Sequence, residues 1–148
     1  MIVDVHTHLP THRDTVPESD HSTENIMRSG DSVTMTYSIP DYLEAMGPVD
    51  KAIAFGIEPR PWDHDRQLIQ GTGDLQAEGM NHNDVAAELH RAAPDKVIPF
   101  MGLHPMDPGM NDEYDRAVDD LGLKGIKLAP NNQEFDPLGE DAFRLTPG

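Results

Sequence analysis

The stretch NDVAAELHRAAPDKVIPFMGLHP, Asn83 to Pro105, decides the fold. Its first half spaces Val85, Leu89 and Ala92 along one face of a helix, with Asn83 as the cap. Pro94 stops that helix. After only Pro94 to Lys96, an apolar and β-branched run, Val97 to Leu103, reads as a strand. A helix joined to a strand by so short a link is the return half of a βα unit, and the same unit recurs on both sides.

Upstream, Ile2 to His6 is a short strand, and Leu9 to Ile39 is a long polar loop rich in Thr, Ser, Asp, Pro and Gly. SIPDYLEAMGP (Ser38–Pro48) is a short helix that Ser38 caps, that tolerates Pro40 in its first turn and that Gly47-Pro48 ends. KAIAFGI (Lys51–Ile57) is a second strand, followed by another long loop from Glu58 to His82. Downstream, NDEYDRAVDDLG (Asn111–Gly122) is a helix with Tyr114, Val118 and Leu121 along one stripe. LKGIKLA (Leu123–Ala129) is a fourth strand, and DPLGEDAFRL (Asp136–Leu145) begins a fourth helix with Asp136 as cap and Pro137 at its first position.

The order β-α-β-α-β-α-β-α predicts an α/β fold with a parallel sheet built from right-handed crossovers. The strand-to-helix loops are long, about 30 and about 25 residues against the usual 2–6 or so, while the helix-to-strand links are short. Long loops at the C-terminal ends of the strands belong to the catalytic face of a (β/α)8 TIM barrel. An open doubly wound sheet would carry them too, but no Gly-x-Gly-x-x-Gly follows the first strand. A full barrel takes about 250 residues and eight strands. The 148 residues are therefore expected to form a single domain, residues 1–148, that is the N-terminal half of such a barrel, its first four βα units, truncated at the end of the chain.

Composition narrows the function. With no Cys, disulfides and thiolate metal sites are excluded. The N-terminus has neither the basic nor the long apolar region of a signal peptide, and no run is long enough to span a membrane. A soluble cytoplasmic protein is expected. Asp and Glu number 27 against 11 Lys and Arg, for a net charge of −16. Such a surface repels nucleic acid phosphates and anionic membranes, which leaves a small-molecule substrate as the expected partner. It also suits a salt-loving source, where self-repulsion is screened, as well as a merely acidic protein.

His6 and His8, in DVHTHLP (Asp4–Pro10), carry the chemistry. Residues two apart on a strand share a face, about 6.6 Å apart. Two imidazoles so placed at the C-terminal end of a strand can converge on one metal ion, and alternation would put Asp4 beside them as a partner that fixes a histidine tautomer.

VDVHTHL, DYLEAMGPVDKAIAFG, NDVAAELHRAAPDKVIPFMGLHP and LGLKGIKLAPNNQEFDP together resemble, in order and spacing, the N-terminal half of amidohydrolase-2-type proteins, the branch of the amidohydrolase superfamily similar to aminocarboxymuconate semialdehyde decarboxylase. The resemblance implies a metal-dependent TIM barrel that hydrolyses C–N or C–O bonds or decarboxylates aromatic and unsaturated acids. It implies that His6 and His8 are metal ligands, with a further His on strand five and an Asp on strand eight, beyond this chain. The expected cofactor is a divalent metal, zinc first, with manganese or iron also fitting nitrogen and carboxylate ligands.

Alternation in LKGIKL sets Lys127 with Gly125 and Leu123 on one face and Ile126 with Leu128 on the other. If the aliphatic pair faces the helices, Lys127 points into the barrel mouth. There it can capture carbon dioxide as a metal-bridging carbamate, as strand-four lysines do in some superfamily members, or stay cationic and hold a substrate carboxylate. His104 ends strand three in GLHP and either contacts substrate or closes the strand before Pro105. Arg60, Trp62 and His64, in EPRPWDHD, are candidates for recognising an aromatic acid. GxHP and His-x-His also occur in TatD-type metal-dependent nucleases, but those need an acid on strand four where this chain has lysine. The rival from another class is a truncated, non-catalytic half-barrel, a homo-oligomer that associates through its open edges.

Overall fold

Alternate residues along the strands are buried beneath helices, and this alternation fixes which face of the sheet is which. The computed structural model describes residues 1–10, 36, 38–62 and 80–143. Its elements are β1 (Val3–His8), α1 (Ile39–Ala45), β2 (Lys51–Phe55), α2 (His82–Ala92), β3 (Val97–Gly102), α3 (Met110–Asp119), β4 (Gly125–Lys127), α4 (Pro130–Gln133) and α5 (Glu140–Phe143). The four strands pair in sequence order, β1-β2-β3-β4, and every pair is parallel. Sequential order without a reversal is that of consecutive units in a (β/α)8 barrel; a doubly wound sheet reverses at a switch point.

Ala52 and Ala54 of β2 and Val97 and Met101 of β3 are buried with Val85, Ala86 and Leu89 of α2, Met110 and Ala117 of α3 and Tyr42 of α1. Ile126 and Leu128 pack against the same cluster. The alanines leave room for α2 to lie close on β2 and β3. The opposite, inner face of the sheet carries Ile53, Phe55, Ile98, Phe100, Gly125 and Lys127, in register as Phe100 with Gly125 and Gly102 with Lys127. A Cβ on Gly125 would lie 2.5 Å from Phe100 Cζ, so the Phe100 ring occupies the space left by the missing side chain.

β1 departs from simple alternation. Between Asp4 and Thr7 it advances three residues while β2 advances two, from Ala52 to Ala54. This β-bulge inverts the strand upstream of it. Asp4 falls in register with the outward Ala52, whereas His8 falls in register with the inward Phe55. Thr7 points to the helices, where its Oγ1 lies 2.6 Å from Tyr42 Oη and donates to the Ile53 carbonyl at 2.7 Å.

Ser38 caps α1 as its sequence predicts, its Oγ accepting from Asp41 N at 3.2 Å. The cap of α2 is Asn81 and not Asn83: Asn81 Oδ1 accepts from the amides of Asn83 and Asp84, and Asp84 Oδ2 accepts from Asn81 N. This capping box satisfies the first-turn amides and frees Asn83 for the sheet. Replacing Asn81 with alanine is expected to cost about 1–2 kcal/mol, read as a lowered thermal midpoint. On α3 the inner stripe is Met110, Tyr114 and Ala117, continued by Leu121 just past its end; Val118 lies at its edge, exposed. The helix expected from Asp136 starts only at Glu140, because Asp136 closes a turn with Leu138 and Gly139. The short α4 has no counterpart in the periodicity. It forms where Pro130 sets its first turn and Gln133 Oε1 accepts from Ala129 N at 2.7 Å. Among the described residues no helix is long and apolar enough to cross a membrane.

Candidate metal site

The bulge and the register deliver both histidines to the same end of the sheet. His6 Nε2 and His8 Nε2 lie 3.3 Å apart, with ring centroids 5.2 Å apart. Two nitrogens bound at about 2.0–2.1 Å to one tetrahedral ion stand about 3.4 Å from each other. The pair as folded therefore fits the edge of a zinc-type coordination sphere. Both rings rest edge-on against Phe55, at 5.0 Å and 5.3 Å. The Phe55 contact desolvates His8, and this, followed by the neighbouring His6 and Lys127, lowers its pKa below the usual histidine range. A neutral imidazole is the form a metal takes.

Lys127 joins the same group. Its Nζ lies 4.8 Å from the centre of the Phe55 ring, a cation–π contact that binds the ammonium form. Phe55, which the sequence reading placed only within the second strand, is thus the shared floor of His6, His8 and Lys127. Its place opposite His8 shows only in the strand register. Asp4 does not join them: the bulge turns it away, and its Oδ1 accepts from the His6 main-chain amide at 3.0 Å. Among the described residues no third His, Cys, Asp or Glu completes a metal cluster.

His104 is buried, 1% exposed, and both ring nitrogens are engaged by main chain. Nδ1 accepts from Met106 N at 3.1 Å, so Nε2 carries the proton and donates to the Gln133 carbonyl at 2.8 Å. That geometry matches a residue closing a strand and leaves no ring nitrogen for substrate. Trp62, half-exposed, stacks edge-on against His104 at 5.5 Å. Arg60 forms an ion pair with Glu134. His64 lies outside the described residues.

A second polar cluster lies at the ends of β2 and β3, and the sequence reading assigned it nothing. His82 is buried with Nε2 at 3.1 Å from the Gly102 carbonyl and 3.2 Å from Glu58 Oε2. Asn83 clasps Gly102 from both sides, Oδ1 accepting its amide at 2.9 Å and Nδ2 donating to its carbonyl at 3.2 Å. Arg116 donates to Glu113 through two nitrogens, at 2.8 Å and 2.9 Å, and to Asp84 at 2.6 Å. Burial opposes the Glu113 charge, yet hydrogen bonds from Arg116, Asn83 and Asn81 hold its pKa below the usual carboxylate range.

Consecutive parallel βα units, with an imidazole pair and a lysine gathered on the inner face at the strands' C-terminal ends, are the arrangement of the first units of a TIM barrel. The sequence profile of the amidohydrolase family matches residues 3–147, and the chain belongs to that family. It is a TIM-barrel family of metal-dependent hydrolases and related decarboxylases, whose members generally bind divalent metals. No curated protein matches the chain.

Proposed function

We propose that this chain supplies the metal-holding and substrate-orienting residues of an enzyme that hydrolyses a C–N or C–O bond in, or removes carbon dioxide from, a small carboxylic acid. The observation that carries the reading is the 3.3 Å separation of the two Nε2 atoms on the inner face, beside Lys127 and over Phe55. His6 and His8 hold a divalent ion, zinc or else manganese or iron. When bound, such an ion lowers the pKa of a coordinated water and polarises a carbonyl or carboxyl oxygen. The residues of this chain position the reactants. Lys127 holds a substrate carboxylate by charge, and the Phe55 ring keeps that ammonium directed over the histidines. The cation–π contact favours this role over a carbamate, which forms only from the neutral amine. Trp62 offers an exposed aromatic face near the same strand ends for an unsaturated or aromatic substrate.

The test is a metal-dependent assay on amides, lactones and aromatic acids, with and without a chelator. Turnover of a carboxylate-bearing substrate that chelation abolishes and zinc restores supports the proposal. Activity indifferent to chelation would sink it. A second reading rests on Ile2, Val3 and Val5, all exposed at the edge strand β1. Such a strand invites association with another copy of the chain. Light scattering that gives the mass of one chain would remove that reading.

A further inference from the structure

His82 enters the sheet where neither neighbouring strand carries a side chain. A Cβ on Gly56 would lie 2.6 Å from His82 Cβ and 2.9 Å from two ring carbons, and a Cβ on Gly102 would lie 2.8 Å from Nε2. The ring is thus a wedge between the C-terminal ends of β2 and β3, only 6% exposed. Because the Gly102 carbonyl is an acceptor, Nε2 carries the proton and shares it with Glu58 Oε2. The residues touched by the wedge adjoin the candidate metal site. Gly56 follows Phe55, the floor of the histidine pair, and Gly102 is the register partner of Lys127.

We propose that Glu58 and His82 form a protonation-dependent latch across the ends of β2 and β3 that regulates the geometry of the histidine site, an inference that rests on the reading of that site given above. Across a cavity of ≈190 Å³, Glu58 faces Asp107 from the segment after β3 and Glu113 from α3. Glu113, Asp84 and Arg116 act on His82 from α2 and α3. Burial, then Asp107 and Glu113, push the Glu58 carboxyl up to about 7. Burial lowers the His82 pKa, which favours its neutral form. With Glu58 protonated, the latch is uncharged and its carbonyl oxygen accepts the His82 proton. When Glu58 loses its proton to solvent, a third carboxylate faces Asp107 and Glu113. The cost of burying the charge, with this repulsion, outweighs the stronger hydrogen bond that an ionised carboxylate accepts and drives the side chain towards water and away from the imidazole, and the wedge loosens.

The experiment is an amide-resolved NMR titration of the full chain from pH 5.5 to 9, for wild type and Glu58→Gln. In wild type the amides of Gly102, Phe55 and Lys127 are expected to move together with one midpoint near neutrality. In Glu58→Gln, which keeps the acceptor and cannot ionise, that transition is expected to vanish. Flat amides in wild type, an unchanged transition in the variant, or movement of Gly102 without Phe55 and Lys127 would each overturn the proposal. Should Glu58→Gln lose its fold, Glu58→Asp serves instead. Its shorter carboxylate falls short of His82 and nearer solvent, so its midpoint is expected to drop by about one pH unit or more towards the ordinary carboxylate range; an unmoved midpoint overturns the latch. No metal enters this titration. Failure of zinc to bind His6 and His8 would count against the site, and the amide midpoints would still judge the latch.

Discussion

Changing His6 and His8 together to alanine is expected to weaken zinc binding by at least about 100-fold, since the loss of an outer-shell partner alone costs about 10–100-fold. The two ligands are preorganised. In the folded chain the two Nε2 atoms already stand 3.3 Å apart, so an ion meets two ligands at once without reordering the strand. The Phe55 ring holds both imidazoles edge-on, and the lowered His8 pKa reduces the competition of protons for that ligand. Isothermal titration with zinc, beside elemental analysis of the purified chain, measures this directly. About one zinc per wild-type chain, absent from the double variant, is the expected outcome. Equal zinc in both proteins would place the metal elsewhere. Because His6 and His8 are solvent-exposed and their rings touch Phe55 rather than the main apolar cluster, the double variant is expected to unfold within a few degrees of wild type.

The largest stability effect is expected at Gly102. An alanine there would set its Cβ 2.6 Å from the Gly56 carbonyl oxygen and 3.0 Å from Glu58 N, both main-chain atoms of the neighbouring strand and its continuation. Neither can rotate aside as a side chain would. The third close atom, His82 Nε2 at 2.8 Å, belongs to a ring buried on all sides. Relief requires prising β3 from β2, which would also strain the two hydrogen bonds to Asn83. A loss of about 3 kcal/mol is expected, at the upper end of the overpacking range. In a chain of this size that lowers the thermal midpoint by about 6–12 °C. Gly109→Ala is the control, since its Cβ would meet only Asp107 Oδ1 at an ordinary 3.5 Å. Calorimetry on the two variants decides the matter; equal midpoints would mean that the strand ends are not locked together.

Much of the architecture was legible in the sequence, for physical reasons that also explain the misses. Apolar periodicity and short helix-to-strand links predicted every strand and the sequential parallel sheet, because burial of alternate residues is what a covered sheet demands. Ser38 was legible as a cap because it stands directly before the first turn, and its hydroxyl accepts from Asp41 N there. Asn83 was misread as one because two asparagines and an aspartate crowd the start of α2; Asn81 takes the cap while Asn83 crosses to Gly102. The facing of His6 and His8 followed from two-residue alternation. The facing of Asp4 did not, because a bulge is invisible to alternation and shows only in the register with β2. His82 was illegible for a similar reason. A histidine beside a helix start looks solvated until Gly56 and Gly102, distant in sequence, are seen to vacate the space it fills. His104 could be read either as a substrate contact or as a residue closing the strand, and its two ring nitrogens meet the backbone of Gln133 and Met106.

The β1 bulge also gives the strand slack in length. Thr7 and His8 are pinned to Ala54 and Phe55, and Thr7 is anchored further by Tyr42 and the Ile53 carbonyl. The surplus residue sits upstream of that anchor, so a length change there is absorbed by straightening or widening the bulge. A residue inserted or deleted in the bulge between Asp4 and Thr7 is therefore expected to leave Thr7 and His8 in register with β2. A regular strand offers no such slack, because any one-residue slip would invert it along its whole length.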